Sequence, residues 1–238
     1  MADYEYILPV METAKGAWEK VKGVKGTMWG FIVMAVILIA ATIFLGNYLH
    51  GIALGVVKVL QFLLQLATGW VLLYMGLLRA LNRPVNLSVI NEVVKPQLLL
   101  RLLGLCILIW LIVMAPLIVL GLLSAVLFAT LGKSTLLITL LIFALIVITI
   151  YITVRLYLAY AFVLINDLGP MDAIRASIKA TKFNVLSLTE LLLFNLFIYI
   201  ISALPLGIGL IWSIPYLKIC YGEVYRKLVV DRPVTSSI

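Results

Sequence analysis

Residues 10–46 read VMETAKGAWEKVKGVKGTMWGFIVMAVILIAATIFLG, a polar segment with a helical period followed by a long run without charge. Apolar residues from Val10 to Val21 recur at the spacing of one helix face, and Glu12 and Lys15 lie on the opposite face. The run from Met28 to Gly46, about 19 residues, is just long enough to cross a bilayer core of about 30 Å as a helix. This stretch therefore predicts an amphipathic helix at the membrane surface that leads into a membrane span.

The same arrangement recurs twice more along the chain, at one constant interval. In each copy an acidic residue is followed three positions later by a base, just before a long apolar stretch. These interfacial charges are Glu12 and Lys15, Glu92 and Lys95, and Asp172 and Arg175. Because self-similarity at a fixed period indicates a repeated structural unit, we predict a single membrane domain over 1–238 with pseudo-repeats at approximately 8–82, 86–165 and 168–230.

Each repeat contains two apolar stretches of spanning length. They are Met28 to Gly46, Ile52 to Leu78, Leu98 to Leu120, Leu136 to Phe162, Val185 to Leu204 and Ile208 to Leu228. The predicted fold is all-α and integral to the membrane, with six transmembrane helices in three hairpins. A cytoplasmic-side amphipathic helix precedes each hairpin.

Composition and charge placement predict the environment and the partners. Apolar residues make up 65% of the chain, charged residues make up 12%, and the mean hydropathy is +1.22, so most of the surface must face lipid. The net charge of +8 comes from bases that fall almost entirely on one side of the spans, with only Lys133 in a turn on the other side. The positive-inside rule then places both termini in the cytoplasm, and we predict a prokaryotic cytoplasmic (inner) membrane. The expected partners are bilayer lipids with anionic headgroups, and a homo-oligomer or membrane-protein partner stays open; nucleic acid is not expected.

No catalytic constellation is present in the sequence. Motifs for metalloproteases, phosphate-binding loops and nucleophile elbows are missing, and the predicted far side carries no carboxylate. Cys106 and Cys220 both lie in apolar runs without metal-ligand spacing. We therefore predict a non-enzymatic protein with no catalytic residues, no metal and no cofactor.

A polar stripe crosses the second span. Lys58, Gln61 and Gln65 are spaced i, i+3 and i+7, which places them on one side of a helix, and Asn195 in the fifth span is the expected partner of Gln65 at a similar depth. Polar groups are costly in hydrocarbon and normally face the bundle interior or water. Two interpretations stay open: the stripe is the wall of a solute path or headgroup site, or its amides hold helices together by hydrogen bonds.

A second intramembrane charge is Arg155, near the cytoplasmic end of the fourth span. Glu190 and Glu223 lie at the same end of the fifth and sixth spans, so either is a candidate partner for a buried ion pair. A structural ion pair and a gate or ligand contact are the two interpretations.

Residues 154–195, VRLYLAYAFVLINDLGPMDAIRASIKATKFNVLSLTELLLFN, carry a resemblance. This segment resembles uncharacterised prokaryotic six-span membrane proteins, which are similar to the membrane domain fused to some glycerophosphodiester phosphodiesterases. The matching positions are Arg155, Gly169, Pro170, Ala173, Ser177, Lys182 and Asn184. The resemblance implies six spans and a link to lipids or the envelope. Because the chain lacks the phosphodiesterase domain, it does not imply that activity.

The predicted function is that of an inner-membrane protein which engages lipid or a membrane partner through a basic, amphipathic cytoplasmic collar. The alternative is a small-solute transporter or channel that uses the polar stripe on the second helix.

Overall fold

The computed structural model describes residues 6–131, 135–205 and 207–231, and all the regular structure in these ranges is helical. The helices are α1 (Val10–Lys20), α2 (Lys25–Gly46), α3 (Gly51–Ala80), α4 (Val89–Val93), α5 (Pro96–Leu131), α6 (Thr135–Arg155), α7 (Ala159–Asn166), α8 (Pro170–Ala180), α9 (Val185–Ala203) and α10 (Leu210–Tyr225). A π-type turn over Arg226–Val230 continues α10. The turn that contains Lys133 lies outside the described residues.

Five helical stretches of the described chain are long and apolar enough to cross a bilayer. They are Lys25–Gly46, Gly51–Ala80, Pro96–Leu127, Thr139–Asn166 and Val185–Ala203. The stretch predicted as a sixth span differs from these, because its α-helix α10 has only 16 residues. At about 1.5 Å per residue, α10 is about 24 Å long, and the π-type turn of 5 residues that continues it brings the helical run close to the thickness of a bilayer core.

The chain forms two compact units. Unit A comprises Leu8–Leu99 and Glu190–Ile238, and unit B comprises Met1–Ile7 and Leu100–Thr189. Unit A contains α1 to α4, most of α9 and α10, whereas unit B contains most of α5 together with α6 to α8.

The core of unit A is built where α10 packs against α3. A Cβ added to Gly76 would lie 2.3 Å from the Lys218 carbonyl oxygen, and one added to Gly222 would lie 2.6 Å from the Ala80 Cβ. The two helices therefore touch backbone to backbone, and only glycine fits at these points. Ala80 follows Gly76 on α3 by the same number of residues as Gly222 follows Lys218 on α10. The two helices therefore run side by side in the same direction.

The amphipathic helices α1 and α8 have the same length and the same position in their repeats. Each has 11 residues; α1 begins at Val10 and is followed by α2 from Lys25, and α8 begins at Pro170 and is followed by α9 from Val185. The interval from one helix to the next is therefore the same in both repeats. Each residue of 181–190 also has the same degree of burial as the corresponding residue of 21–30. The two segments thus share one pattern of secondary structure and burial.

The second amphipathic segment is shorter than the sequence predicts. Helix α4 has only 5 residues around Glu92, about one and a half turns. Pro84 and Pro96 bound this segment, and a proline disfavours helical geometry in the residue before it. Pro96 thus accounts for the end of α4 ahead of Lys95, and α5 begins at Pro96 itself.

Each amphipathic helix packs against the second apolar helix of a neighbouring repeat. Helix α4 contacts α3 of the first repeat, α8 contacts α7 of the second, and α1 contacts α10 of the third. The buried face of α1 consists of Val10, Thr13, Ala14 and Ala17, and that of α8 of Ala173, Ile174, Ser177 and Ala180. The small side chains allow close contact, so these faces pack against protein.

Candidate functional site

The outward faces of α1 and α8 carry the same stripe of side chains. Spacings of i, i+4, i+7 and i+11 place four residues along one line of each helix and the turn that follows it. In order along the chain they are Met11, Lys15, Trp18 and Lys22 in the first repeat, and Met171, Arg175, Ile178 and Lys182 in the third; all eight are exposed. Apolar and basic side chains therefore alternate along both surfaces, which we call the outer stripes.

The acidic residues of the amphipathic helices have partners that the spacing does not predict. The Lys227 ammonium donates a hydrogen bond of 2.8 Å to the Glu12 carboxylate, and this contact holds the pKa of the Glu12 carboxyl below its ordinary value. Tyr74 of α3 donates its hydroxyl to Glu92 at 2.8 Å. Asp172 does lie near the base three residues on, with 3.7 Å between its carboxylate and the Arg175 guanidinium. Two of the three acids are thus held by residues from elsewhere in the chain.

A buried charge cluster connects α1 to the end of α10. The Glu223 carboxylate is fully buried, with one oxygen 2.7 Å from the Lys20 ammonium and the other 2.7 Å from the Arg226 guanidinium. The helical period places Lys20 on the wet face of α1, but its side chain is only 19% exposed. It also donates to the Ala80 carbonyl at 2.7 Å, so it joins the ends of three helices.

Arg79 reinforces the same junction through the backbone. Its guanidinium donates to the carbonyl oxygens of Lys20 and Lys22, at 2.9 Å and 2.8 Å. These carbonyls belong to the last residue of α1 and to the turn after it, where a helix leaves acceptors without intrahelical partners. The basic residues at this end of unit A thus have two roles: some fix the helix junction and others project from the outer stripes.

Part of this arrangement has a signal in the sequence. The outer stripes repeat the order methionine, base, apolar residue, lysine at corresponding positions of the first and third repeats, so a comparison of positions beyond the acid and base would have found them. The Lys20–Glu223 pair has no such signal, because its two residues are far apart in the chain and neither belongs to a motif.

No protein-family model, curated protein or solved structure matches this chain. The resemblance carried by residues 154–195 therefore stays an expectation from the sequence.

Arg155 stabilises the junction between α6 and α7 within unit B. Its guanidinium is 3.4 Å from the Thr181 hydroxyl, and its carbonyl accepts a hydrogen bond of 2.8 Å from the Ser177 hydroxyl. The same hydroxyl accepts from the Leu158 backbone N–H at 3.1 Å. The predicted partners Glu190 and Glu223 belong to unit A, so the ion pair with Arg155 stays a prediction.

The polar stripe on α3 is mostly uncovered. Lys58 and Gln65 are exposed, and Gln61 is half-buried. The Gln61 side-chain oxygen is itself buried and has no hydrogen-bond partner among the described residues. All three residues lie in the first half of α3, ahead of the part that packs against α10.

The structure gives Asn195 different partners from the one predicted. Its side-chain oxygen accepts a hydrogen bond of 2.9 Å from the Tyr216 hydroxyl, and its amide nitrogen is 3.5 Å from the Cys220 sulfur. Asn195 thus joins α9 to α10 rather than α9 to Gln65. Asn195 lies beside Cys220 and Ser202 lies beside Gly209, so α9 and α10 pack together as an antiparallel pair.

Proposed function

We propose that this chain is a non-enzymatic, multi-pass protein of a prokaryotic inner membrane that holds anionic lipid headgroups on its cytoplasmic side. The outer stripes of α1 and α8 are the observation that carries this proposal. Apolar side chains between bases suit the boundary between acyl chains and headgroups, where methionine, tryptophan and isoleucine insert and the bases meet phosphates.

The buried faces of the two helices support this orientation. Since the small residues of α1 and α8 pack against protein, the outer stripes are the faces left to meet the membrane surface. The fixed junction around Glu223 holds α1 in place, so lipid binding requires no folding of the helix.

The proposal retains three repeats and both termini in the cytoplasm. The repeat is supported by the matching burial of α1–α2 and α8–α9, and the orientation by the distribution of bases. Six crossings result if α9 and α10 pass through the bilayer, and four result if they turn back within it. Both arrangements leave the termini on the same side.

Native mass spectrometry of the purified protein, with phosphatidylglycerol or cardiolipin added, tests lipid binding. Each base near an anionic surface contributes about 1 kcal/mol, so the double variant Lys15→Gln/Lys22→Gln should weaken retention of these lipids by about 30-fold at low salt. The matched control, Arg83→Gln/Lys95→Gln, removes the same charge from exposed positions outside the outer stripes. Equal loss in both variants would reject a stripe-specific site.

The second candidate function is passage of a small solute along Lys58, Gln61 and Gln65. The observation that favours it is the exposure of this polar stripe in a helix long enough to span the bilayer. Gln65→Leu should then abolish transport with little effect on folding, whereas a purely structural stripe predicts modest destabilisation and unchanged transport.

A further inference from the structure

The register between α3 and α10 determines how far the third hairpin, α9 and α10, extends along α3. Lys218 lies beside Gly76, and α10 begins two turns earlier, at Leu210. Since the two helices run side by side in the same direction, the start of α10 is level with Thr68, beyond the midpoint of α3. At about 1.5 Å per residue, the distance from Thr68 back to the start of α3 at Gly51 is about 25 Å. The third hairpin therefore stops well short of that end of α3.

Contacts between α10 and α2 agree with this depth. The indole N–H of Trp29 donates a hydrogen bond of 2.9 Å to the Ile211 carbonyl, and the Lys25 ammonium lies 4.6 Å from the centre of the Trp212 ring. Lys25 and Trp29 belong to the first two turns of α2, at the end that the bases place near the cytoplasm. The beginning of α10 is therefore near the beginning of α2, although α10 would have to begin at the opposite face if it crossed the bilayer.

Burial along the first hairpin follows the same boundary. The buried residues of α2 end at Ala35, and those of α3 begin at Trp70, apart from Val57. The remaining halves of these helices, residues 36–46 and 51–69, form a pair of helices with mostly exposed side chains. Packing thus ends at the level where α10 starts.

We infer that α9 and α10 form a re-entrant hairpin, which enters and leaves the bilayer on the cytoplasmic side, and that an aqueous cleft lies beyond its tip. The described part of the tip, residues 204–205 and 207–209, contains one proline and two glycines, and such irregular backbone is tolerated in a membrane where it lines water or is buried in protein. The polar stripe lies on the side of α3 that packs against α10, since Lys58 and Gly76 are separated by a whole number of helical turns, about five. The stripe therefore continues the α10-facing side of α3 past the tip.

Water in the cleft would hydrogen-bond the polar side chains of this stripe and so remove the free-energy cost of placing them in the membrane. Placing each of the two amides and the ammonium among acyl chains without a hydrogen-bond partner would cost several kcal/mol of free energy. The cleft wall carries one positive charge from Lys58 and no carboxylate on the stripe, so it favours small anions over cations. This inference concerns a different surface from the outer stripes and does not depend on lipid binding there.

Labelling of introduced cysteines in intact cells tests the inference. The parent protein, with Cys106 and Cys220, gives the background. Tyr48→Cys, in the turn between α2 and α3, should react with a bulky impermeant maleimide polymer, whereas Ile208→Cys and Leu204→Cys in the tip should not. Labelling of either tip variant as strongly as Tyr48→Cys would show that the third hairpin crosses the bilayer, and would overturn the inference.

Small charged thiosulfonates then test the cleft. Gln65→Cys should react with them, and Leu63→Cys, at a similar depth but on the opposite face of α3, should not. The anionic reagent should react with Gln65→Cys roughly fourfold faster than the cationic one, relative to Tyr48→Cys, because Lys58 is about 10 Å away along the helix. Adding Lys58→Gln should remove this preference. Equal protection of Gln65→Cys and Leu63→Cys would reject an aqueous cleft, and a preference unchanged by Lys58→Gln would reject its anion selectivity.

Discussion

Replacing Gly76 with alanine should loosen the contact between α3 and α10 on which the structure of unit A depends. The new Cβ would lie 2.3 Å from the Lys218 carbonyl oxygen and 2.4 Å from its carbon. A normal contact is about 3.5 Å, so the two helices must separate by about 1 Å. Overpacking of this kind costs about 1–3 kcal/mol.

The matched control is Gly69→Ala on the same helix, where a new Cβ would meet nothing within 4 Å. Alanine is favoured over glycine in a helix by about 0.8–1.0 kcal/mol, so this control should be neutral or stabilised. Both variants gain this helix preference, so they should differ by the overpacking cost alone, about 1–3 kcal/mol. For a chain of this size, that difference corresponds to roughly 2–12 °C in Tm.

Thermal unfolding of the purified variants in one detergent, followed by tryptophan fluorescence, measures this difference. Gly222→Ala should behave like Gly76→Ala, since its Cβ would lie 2.8 Å from the Gly76 carbonyl oxygen. If Gly76→Ala and Gly69→Ala melt at the same temperature, α3 and α10 do not meet in this register. The depth inferred for the third hairpin would then lose its basis.

Three further changes test individual contacts. Lys20→Met should lower Tm clearly more than Lys15→Met, because it leaves a buried carboxylate with a single basic partner, and equal melting in detergent would contradict the buried pair. The pKa of Glu12 is lowered in the folded protein, so Glu12 stabilises the fold above the ordinary glutamate pKa, and this stabilisation is lost as the pH falls through the lowered pKa. The fall in Tm between about pH 7 and about pH 3 should therefore be smaller in Glu12→Gln than in the parent protein. Asn195→Leu should destabilise more than Gln65→Leu, since it breaks buried hydrogen bonds between α9 and α10, and the reverse order of Tm values would refute this assignment.

Hydropathy predicts the long helices well for a physical reason. A backbone in hydrocarbon must satisfy its own hydrogen bonds, so an uncharged run of sufficient length forms a helix whatever surrounds it. The stretches Lys25–Gly46 and Gly51–Ala80 follow directly from this constraint. Hydropathy reports the length of an apolar run and carries no information about its position along a neighbouring helix. For this reason it predicts a full span from Ile208 to Leu228, although the helix in that run begins at Leu210 and packs beside the second half of α3.

Periodicity predicts the surface helices but not their partners. The helical pattern identifies α1 and α8 and separates their two faces, yet it does not show whether the apolar face meets lipid or protein. The small residues Ala14, Ala17 and Ala173 favour close contact between helices, and in the structure they are buried. The pairing of Lys20 with Glu223 depends on the register that the glycines of α3 and α10 impose, and no local pattern encodes that register.

The outer stripes and the exposed polar stripe on α3 both occur where the three repeats differ from one another. Three identical units would offer the same surface three times, but the middle amphipathic helix α4 has only 5 residues, so α1 and α8 carry an outer stripe and α4 does not. Helix α10 has 16 residues and α3 has 30, so the third hairpin leaves the first half of α3 without cover from α10. That uncovered half carries Lys58, Gln61 and Gln65, which a second helix of full length would have buried. A variant that lengthened α10 at Leu210 by two apolar turns should therefore shield Gln65→Cys from small thiosulfonates while leaving lipid retention at the outer stripes unchanged; unchanged reactivity would mean that α10 does not point along the stripe.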